Sequence, residues 1–435
     1  MELTLELLRQ YGSAALGLLA QPYYYLALIV MGFLYRRLAV TERSHFHVRL
    51  HAWPLLLLRA AGWGLLAGAG VSIAAAFIGA ALTPDAVLWL WGTAAALALL
   101  RVRFLCFAYS AGVLGVLQAA SGLLSLEESG GTAGRLGTSL AALDMPGLLL
   151  LVALLHVAEA LLVKRDGQRL ASPLYLEGKR GKLIGGYSLQ GLWPVPLLLL
   201  VPASGGAEGA AAALPWTPLL GGEGWSAGWT VLALPAVIGF TDLALSELPK
   251  QAARLASRRL LIYSLILGAL ALAASYARPL VLVASLAALG LHEALTRLAE
   301  RRERQRPPRF VHDERGLCIL GVLPGTPAQE MGLEAGEVLR KVNGRGVRTK
   351  EELHAALHEN SAFCRLEVLN LDGQVKFVQR ARFAGEHHQL GVLLAPDEDA
   401  AYSAVPGRGS VLALLLRRGH KARRRASGEP PSMEA

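Results

Sequence analysis

The chain has 435 residues, 53% of them hydrophobic and 17% charged, with a net charge of +10. Soluble domains carry roughly 25% charged residues, so the composition argues against a wholly soluble protein and favours a polytopic membrane class with room for two or three domains. Three cysteines (Cys106, Cys318 and Cys364) lie far apart with no CxxC pair, which argues against a disulfide framework and a structural zinc site and leaves reduced, buried thiols as the expectation.

The N-terminus reads Met1-Glu2-Leu3-Thr4-Leu5-Glu6, acidic where a cleaved signal would be basic, so the first apolar stretch is expected to be retained. A spanning helix needs about 20 mostly apolar residues. Nine segments are candidates: 12–35 (with Pro22 near its middle), 54–82, 86–100, 104–126, 146–163, 189–203, 225–245, 260–276 and 279–298. The third and sixth are short, and Pro194 and Pro196 make the sixth compatible with a re-entrant segment.

Lys and Arg near span ends collect on the cytoplasmic side. They follow the first span (Arg36, Arg37, Arg43, Arg49), the third (Arg101, Arg103) and the fifth (Lys164, Arg165, Arg169, Lys179, Arg180, Lys182). They also follow the seventh (Lys250, Arg254, Arg258, Arg259) and the ninth (Arg301, Arg302, Arg304, Arg306, Arg309). The alternate loops are poor in positive charge. This alternation predicts an N-terminus outside the cell and everything after residue 300 in the cytoplasm.

Ionisable residues inside spans are functional candidates. His156 and Glu159 share one face of the fifth span, Asp242 and Glu247 lie near the inner end of the seventh, Arg59 in the second, and His292-Glu293 in the ninth. They suit either an ion relay or side chains reaching the headgroups from the inner interface; only His156 and Glu159 lie deep. His292-Glu293-Ala294-Leu295-Thr296 begins like HExxH but lacks the second histidine. Ser204-Gly205 falls in an expected outer loop, and no phosphate-binding loop is present. No catalytic residue, metal ligand or cofactor is expected. Gly64, Gly68, Gly70, Gly112 and Gly115 suit close helix packing.

After residue 300 the pattern changes to that of a small α/β module, 310–396. A strand, Gly316-Leu317-Cys318-Ile319-Leu320-Gly321-Val322, precedes Pro324-Gly325-Thr326-Pro327-Ala328 and Met331-Gly332-Leu333. A second strand, Gly336-Glu337-Val338-Leu339-Arg340-Lys341-Val342, enters a turn at Asn343-Gly344. Thr349 and Glu352 form a capping box for a helix over 350–358 with Leu353, Ala356 and Leu357 on its apolar face. Two strands follow, near 364–369 and 374–378; Asn370-Leu371-Asp372-Gly373 is read as their hairpin turn rather than an intramembrane aspartate motif.

The order of these motifs resembles the bacterial PDZ pattern. PDZ domains bind a peptide as an added strand between a helix and a sheet edge. The resemblance implies a Leu-Gly-Val loop at the start of that edge; here the fitting segment, Gln389-Leu390-Gly391-Val392-Leu393-Leu394, comes last, so the module is expected to be circularly shifted. The implied peptide-binding residues are Gln389, Leu390, Gly391, Val392, Leu394, Leu353 and Leu357; equally, the apolar ones suit a plain core.

The tail, 397–435, carries Arg417, Arg418, Lys421, Arg423, Arg424 and Arg425. It is expected to be disordered and to touch anionic lipid headgroups, at about 1 kcal/mol per basic residue. It lacks the interleaved aromatics of a nucleic-acid binder. The expected organisation is a membrane all-α polytopic bundle of about nine transmembrane helices (1–298), a basic juxtamembrane linker (299–309), a cytoplasmic PDZ domain (310–396) and this tail.

That architecture, with Gln21-Pro22, Tyr35-Arg36-Arg37 and Phe46-His47-Val48-Arg49-Leu50-His51-Ala52-Trp53, resembles the MinJ family of the Min system in Gram-positive rods. The resemblance implies a non-enzymatic adaptor that positions cell-division proteins at poles or septum, with a DivIVA-like scaffold and a MinD-like ATPase as partners. A PDZ-bearing membrane protease component and a PDZ-regulated transporter are the alternatives.

Overall fold

The computed structural model describes residues 2–48, 50–80, 82–178, 181–203, 214–221, 225, 228–360, 363–381 and 390–397. Nine helices and a three-stranded sheet come first: α1 (Glu2–Ala20), α2 (Pro22–Phe46), α3 (Trp53–Ile78), α4 (Pro84–Leu100), α5 (Phe107–Leu123), α6 (Gly131–Ala141), α7 (Met145–Asp166), β1 (Ala171–Glu177), β2 (Leu183–Pro202), β3 (Trp229–Ala244), α8 (Pro249–Tyr276) and α9 (Pro279–Gln305). Proline stands in the first turn of α2, α3, α4, α7, α8 and α9, where its missing N–H costs nothing. Thr83 and Asp144 cap α4 and α7 by accepting from Ala86 N and Gly147 N.

Among the described residues, five helices are long and apolar enough to cross a membrane: Tyr24–Ser44, Trp53–Ile78, Met145–Asp166, Pro249–Tyr276 and Pro279–Gln305; α4 and α5 are shorter and also apolar. The expected nine transmembrane helices are therefore corrected in two places. The segment 12–35 is not one helix: α1 ends at Ala20, and α2 begins at Pro22, whose ring cannot continue the preceding helix. The segments 189–203 and 225–245 are strands, β2 and β3, paired antiparallel from Tyr187↔Ala244 to Pro202↔Trp229.

The strands follow from proline spacing. A proline inside a helix costs about 3 kcal/mol or more, and β2 carries Pro194 and Pro196 two residues apart. In a strand, residues two apart aim their N–H groups to the same side. Both prolines therefore lie on the edge of β2 turned away from β3, where no ladder donor is lost. That edge is finished by side chains. The Tyr35 hydroxyl donates to Leu192 O (2.9 Å) and accepts from Leu192 N (3.2 Å), and Ser72 Oγ accepts from Leu198 N (2.9 Å). Every backbone donor from 192 to 198 on that edge is thus either bonded or replaced by a ring, as an apolar surrounding requires.

The helix α3 lies directly on this edge. Gly64, Gly68 and Ser72 form one stripe, and a Cβ on either glycine would collide with the carbonyl of Pro194 or Pro196. The glycines serve the close approach that the sequence suggested, but their partner is a strand rather than a helix. The remaining packing is helical. α7 is buried over most of its length. α8 runs antiparallel to it, with Ser257 Oγ donating to Ala160 O (2.7 Å) and Gly268 facing Ala153. Gly112 and Gly115 of α5 meet Leu289 and Ser285 of α9.

The helix α9 continues to Gln305, so most of the expected linker 299–309 is its last two turns. Next come β4 (Leu317–Val322), α10 (Pro327–Glu330), β5 (Val338–Val342), β6 (Arg345–Gly346), α11 (Lys350–His358), β7 (Phe363–Leu369), β8 (Val375–Ala381) and β9 (Val392–Leu394). The sheet order is β8-β7-β5-β4-β9, with β6 on β5. The turn at Asn343 (φ 51°) and Gly344 (φ 87°) is pinned by the Asn343 side chain, which donates to Ala356 O and accepts from Arg365 N. The Thr349–Glu352 capping box is present, and Gly373 turns the β7–β8 hairpin with a φ of 79°.

This module is docked on the base of the first sheet. Gly185 N donates to Phe310 O (2.8 Å) and Arg309 N to Leu245 O (2.8 Å). The Tyr175 hydroxyl donates to Leu394 O (3.0 Å), and that of Tyr187 to Leu320 O. Phe310 is fully buried against the Tyr187 ring, with centroids 5.3 Å apart. One apolar core runs through both parts, joining Tyr175, Tyr187 and Phe310 to Cys318, Leu320, Leu393 and Ala395.

Candidate peptide-binding site

The strand β9 is an edge strand. One side pairs with β4 in antiparallel register, Ile319↔Leu394 and Val322↔Val392. The chain enters it through Gly391, whose φ of +85° suits glycine and whose missing Cβ makes room for Thr326. The loop before β9 is braced from within the module: Leu323 N donates to Gly391 O and Ala328 N to Leu390 O, both at 2.9 Å.

Leu353 and Leu357 of α11 share one apolar cluster with Leu390 and Leu394, and Val392 packs against it half-buried. The structure therefore brings together Leu353, Leu357, Leu390, Gly391, Val392 and Leu394. Gln389 lies outside the described residues. Four of these side chains are under a tenth exposed, which makes them the floor and walls of the module's core; Val392 is the one with substantial free surface. On α11 the residues flanking Leu353, Glu352 and His354, are both exposed.

A clasp closes the end of β9 against the start of α11. Lys350 Nζ pairs with Asp397 Oδ2 at 2.7 Å, and His312 Nε2 lies 3.3 Å from Asp397 Oδ1. Burial pulls the His312 imidazole below its ordinary range, against the opposing pull of Asp397. Sequence reading missed Lys350, Asp397 and His312 because the three come together only when the last strand folds back beside the first. The basic tail, 398–435, lies outside the described residues.

Most of the ionisable groups singled out in the helical part are paired. Arg59 bonds Asp166 (2.7 Å), Asp242 bonds Arg259 (2.8 Å), Glu247 meets Arg306, and Glu293 receives Arg297 (2.6 Å) and Arg103. His156 and Glu159 stay buried, with Nε2 and Oε2 3.9 Å apart.

The PDZ domain family model matches residues 319–369. The cell division topological determinant MinJ of Bacillus subtilis is 32% identical over 258 residues, covering 59% of this chain and 63% of that protein. The probable cell division topological determinant MinJ of Lacticaseibacillus paracasei is 28% identical over 291 residues, covering 60% of this chain and 71% of that protein. The magnetosome formation protease MamE of Paramagnetospirillum magneticum is 50% identical over 64 residues, only 14% of this chain and 9% of that protein. The chain thus spans a little under two thirds (63%) of the Bacillus relative's length. No solved structure matches it. The chain is thus similar to the MinJ proteins over about 60% of its length, matches the PDZ domain model over 319–369 and has several helices apolar enough for a membrane.

Proposed function

We propose that this chain is a non-enzymatic membrane adaptor that positions cell-division proteins at poles or septum, gripping them through the groove between β9 and α11. The observation that carries the reading is β9 itself. It is a sheet edge entered through a positive-φ glycine and set beside a single capped helix, on a module fastened to an apolar helical body. Such an edge accepts an extended peptide as one more strand. Gln389, Leu390 and Gly391 would receive the peptide end, and Val392, Leu394, Leu353 and Leu357 its side chains. The partners would be a DivIVA-like scaffold and a MinD-like ATPase.

The module would face the cytoplasm, with the N-terminus outside. The end of α7, the start of α8 and the end of α9 all carry basic clusters on the side where the module docks, as the retention of Lys and Arg in the cytoplasm requires. The basic tail would add weak contact with anionic headgroups. Alkaline-phosphatase activity from a fusion after residue 397 would reverse this sidedness.

The decisive experiment places a photo-crosslinking residue at His354 in living cells. A division scaffold or ATPase should be captured, and Val392→Glu should abolish the capture while the chain keeps its melting temperature. Capture of a processed substrate fragment would instead favour a protease component. Capture unchanged by Val392→Glu would remove the groove from the account.

A further inference from the structure

Three side chains from distant parts of the chain meet inside the helical body. Cys106 is the residue before α5, His156 sits midway along α7 and His292 midway along α9. Their ligand atoms all lie within 4.8 Å of one another. Cys106 Sγ is 3.5 Å from His156 Nε2 and 4.0 Å from His292 Nε2.

The orientation of the imidazoles is fixed from behind. His156 Nδ1 lies 2.8 Å from Val152 O, a carbonyl that can only accept, so Nδ1 carries the proton. His292 Nδ1 lies 3.2 Å from the Tyr109 hydroxyl, which itself donates to Glu293 Oε2 at 2.8 Å. That hydroxyl accepts from His292, and the second imidazole has the same tautomer. Both Nε2 lone pairs therefore point at one sulfur. A thiol has one proton and can serve one of them; the other faces the sulfur without a donor. Carbonyl and hydroxyl partners that hold a histidine's far nitrogen are the usual outer shell of a metal ligand.

We propose that Cys106, His156 and His292 bind one zinc ion, with Glu159 as the fourth donor. Zinc bonds of about 2.3 Å to sulfur and 2.0–2.1 Å to nitrogen in a tetrahedron put sulfur and nitrogen about 3.6 Å apart, between the two separations found here. Glu159 Oε2 is 3.9 Å from His156 Nε2 but stands outside the three ligand atoms that lie within 4.8 Å of one another, so its carboxylate has to swing inward to take the fourth position. The charges also balance. A divalent ion, one thiolate and one carboxylate sum to zero, which suits a site walled by Tyr263, whose ring packs edge-on to both histidines at 4.9 and 5.4 Å. On binding, the Cys106 thiol gives up its proton to solvent and the sulfur bonds the ion. The ion ties α5, α7 and α9 at one point, and α9 is the helix that carries the docked module.

The test is metal analysis of the full chain purified in detergent from zinc-supplemented cells. About one zinc per chain is expected, together with an intense near-ultraviolet thiolate-to-metal absorption when cobalt replaces it. Cys106→Ser should lose that absorption and most of the metal, and His354→Ala should keep both. His292→Cys preserves a ligand at the same place and should keep the zinc with a stronger cobalt absorption. A wild-type chain that neither retains zinc nor takes up one equivalent on titration overturns the proposal. So does a chain loaded with copper alone, or a Cys106→Ser chain that keeps the cobalt absorption.

Discussion

The backbone carbonyl of Pro194 in β2 points into the space that a side chain at Gly64 in α3 would fill. Four residues along the helix and two along the strand, Gly68 and Pro196 repeat the relation, and one step further Ser72 bonds Leu198. Helix and strand rise in step because four helical residues and two extended ones each advance about 6 Å. The helix α3 thus covers the β2 edge from Pro194 to Leu198.

Any side chain at residue 64 or 68 must push helix and strand apart. Gly64→Val and Gly68→Val should each destabilise the chain by about 1–3 kcal/mol or more, read as a lowered melting temperature in detergent. Gly70, two residues past Gly68 and so on another face of α3, has open space beside it, so Gly70→Ala should be neutral or gain up to about 1 kcal/mol from helix propensity. Equal losses at 64 and 70 would contradict the packing described.

Removing the hydroxyls that finish the β2 edge should strand the Leu192 and Leu198 amides. Tyr35→Phe and Ser72→Ala are each expected to cost about 1–3 kcal/mol, the penalty of a buried polar group left alone. Hydrogen exchange should report it locally, with faster exchange at Leu192 in the first variant and at Leu198 in the second.

Phe310 holds the PDZ module to the first sheet. Phe310→Ala removes a fully buried ring and should weaken docking by about 3–5 kcal/mol. Trypsin should then cut faster at Arg304 and Arg306. Tyr175→Phe removes only the bond to Leu394 O and should have a smaller effect, about 1 kcal/mol.

Burial pushes the Cys318 thiol from 9.0 up to about 11, with Asp313 adding to the effect and Arg309 opposing it. The folded state thus favours the neutral thiol. Its contribution, roughly 2–3 kcal/mol, is complete below pH 9 and is lost as pH rises from 9 through 11. Cys318→Ala should flatten the fall in stability over that window, and at pH 8 iodoacetamide should modify Cys318 only after unfolding.

The PDZ part was legible because its turns need particular residues. Asn343-Gly344 and Asp372-Gly373 take positive φ at Asn343, Gly344 and Gly373, and the Thr349–Glu352 box can be read from spacing alone. The helical part was legible where apolar runs are unbroken, as in α3, α7 and α8. It was misread at β2 and β3, because hydropathy has the same sign for a buried strand and a spanning helix; the telling feature was Pro194 and Pro196 at a spacing of two. Of the cluster of Cys106, His156 and His292, the sequence marks the two histidines as ionisable residues within apolar segments but carries no sign that they meet each other or the cysteine. The cluster's members are 50 and 136 residues apart in the chain, and ligand spacing is informative only when ligands share an element.

The Tyr175 hydroxyl reaches out of β1 to a carbonyl of β9, the strand that would guide an incoming peptide. Occupancy of the proposed groove and seating of the module on the sheet would then share one strand, and any effect of one on the other would be returned by an equal free energy. A partner that shifted β9 far enough to break the Tyr175 bond would loosen the module from its seat, and a firmly seated module would resist such a partner to the same degree. Through Tyr175 the helical body would then have a hand in the affinity of the proposed groove.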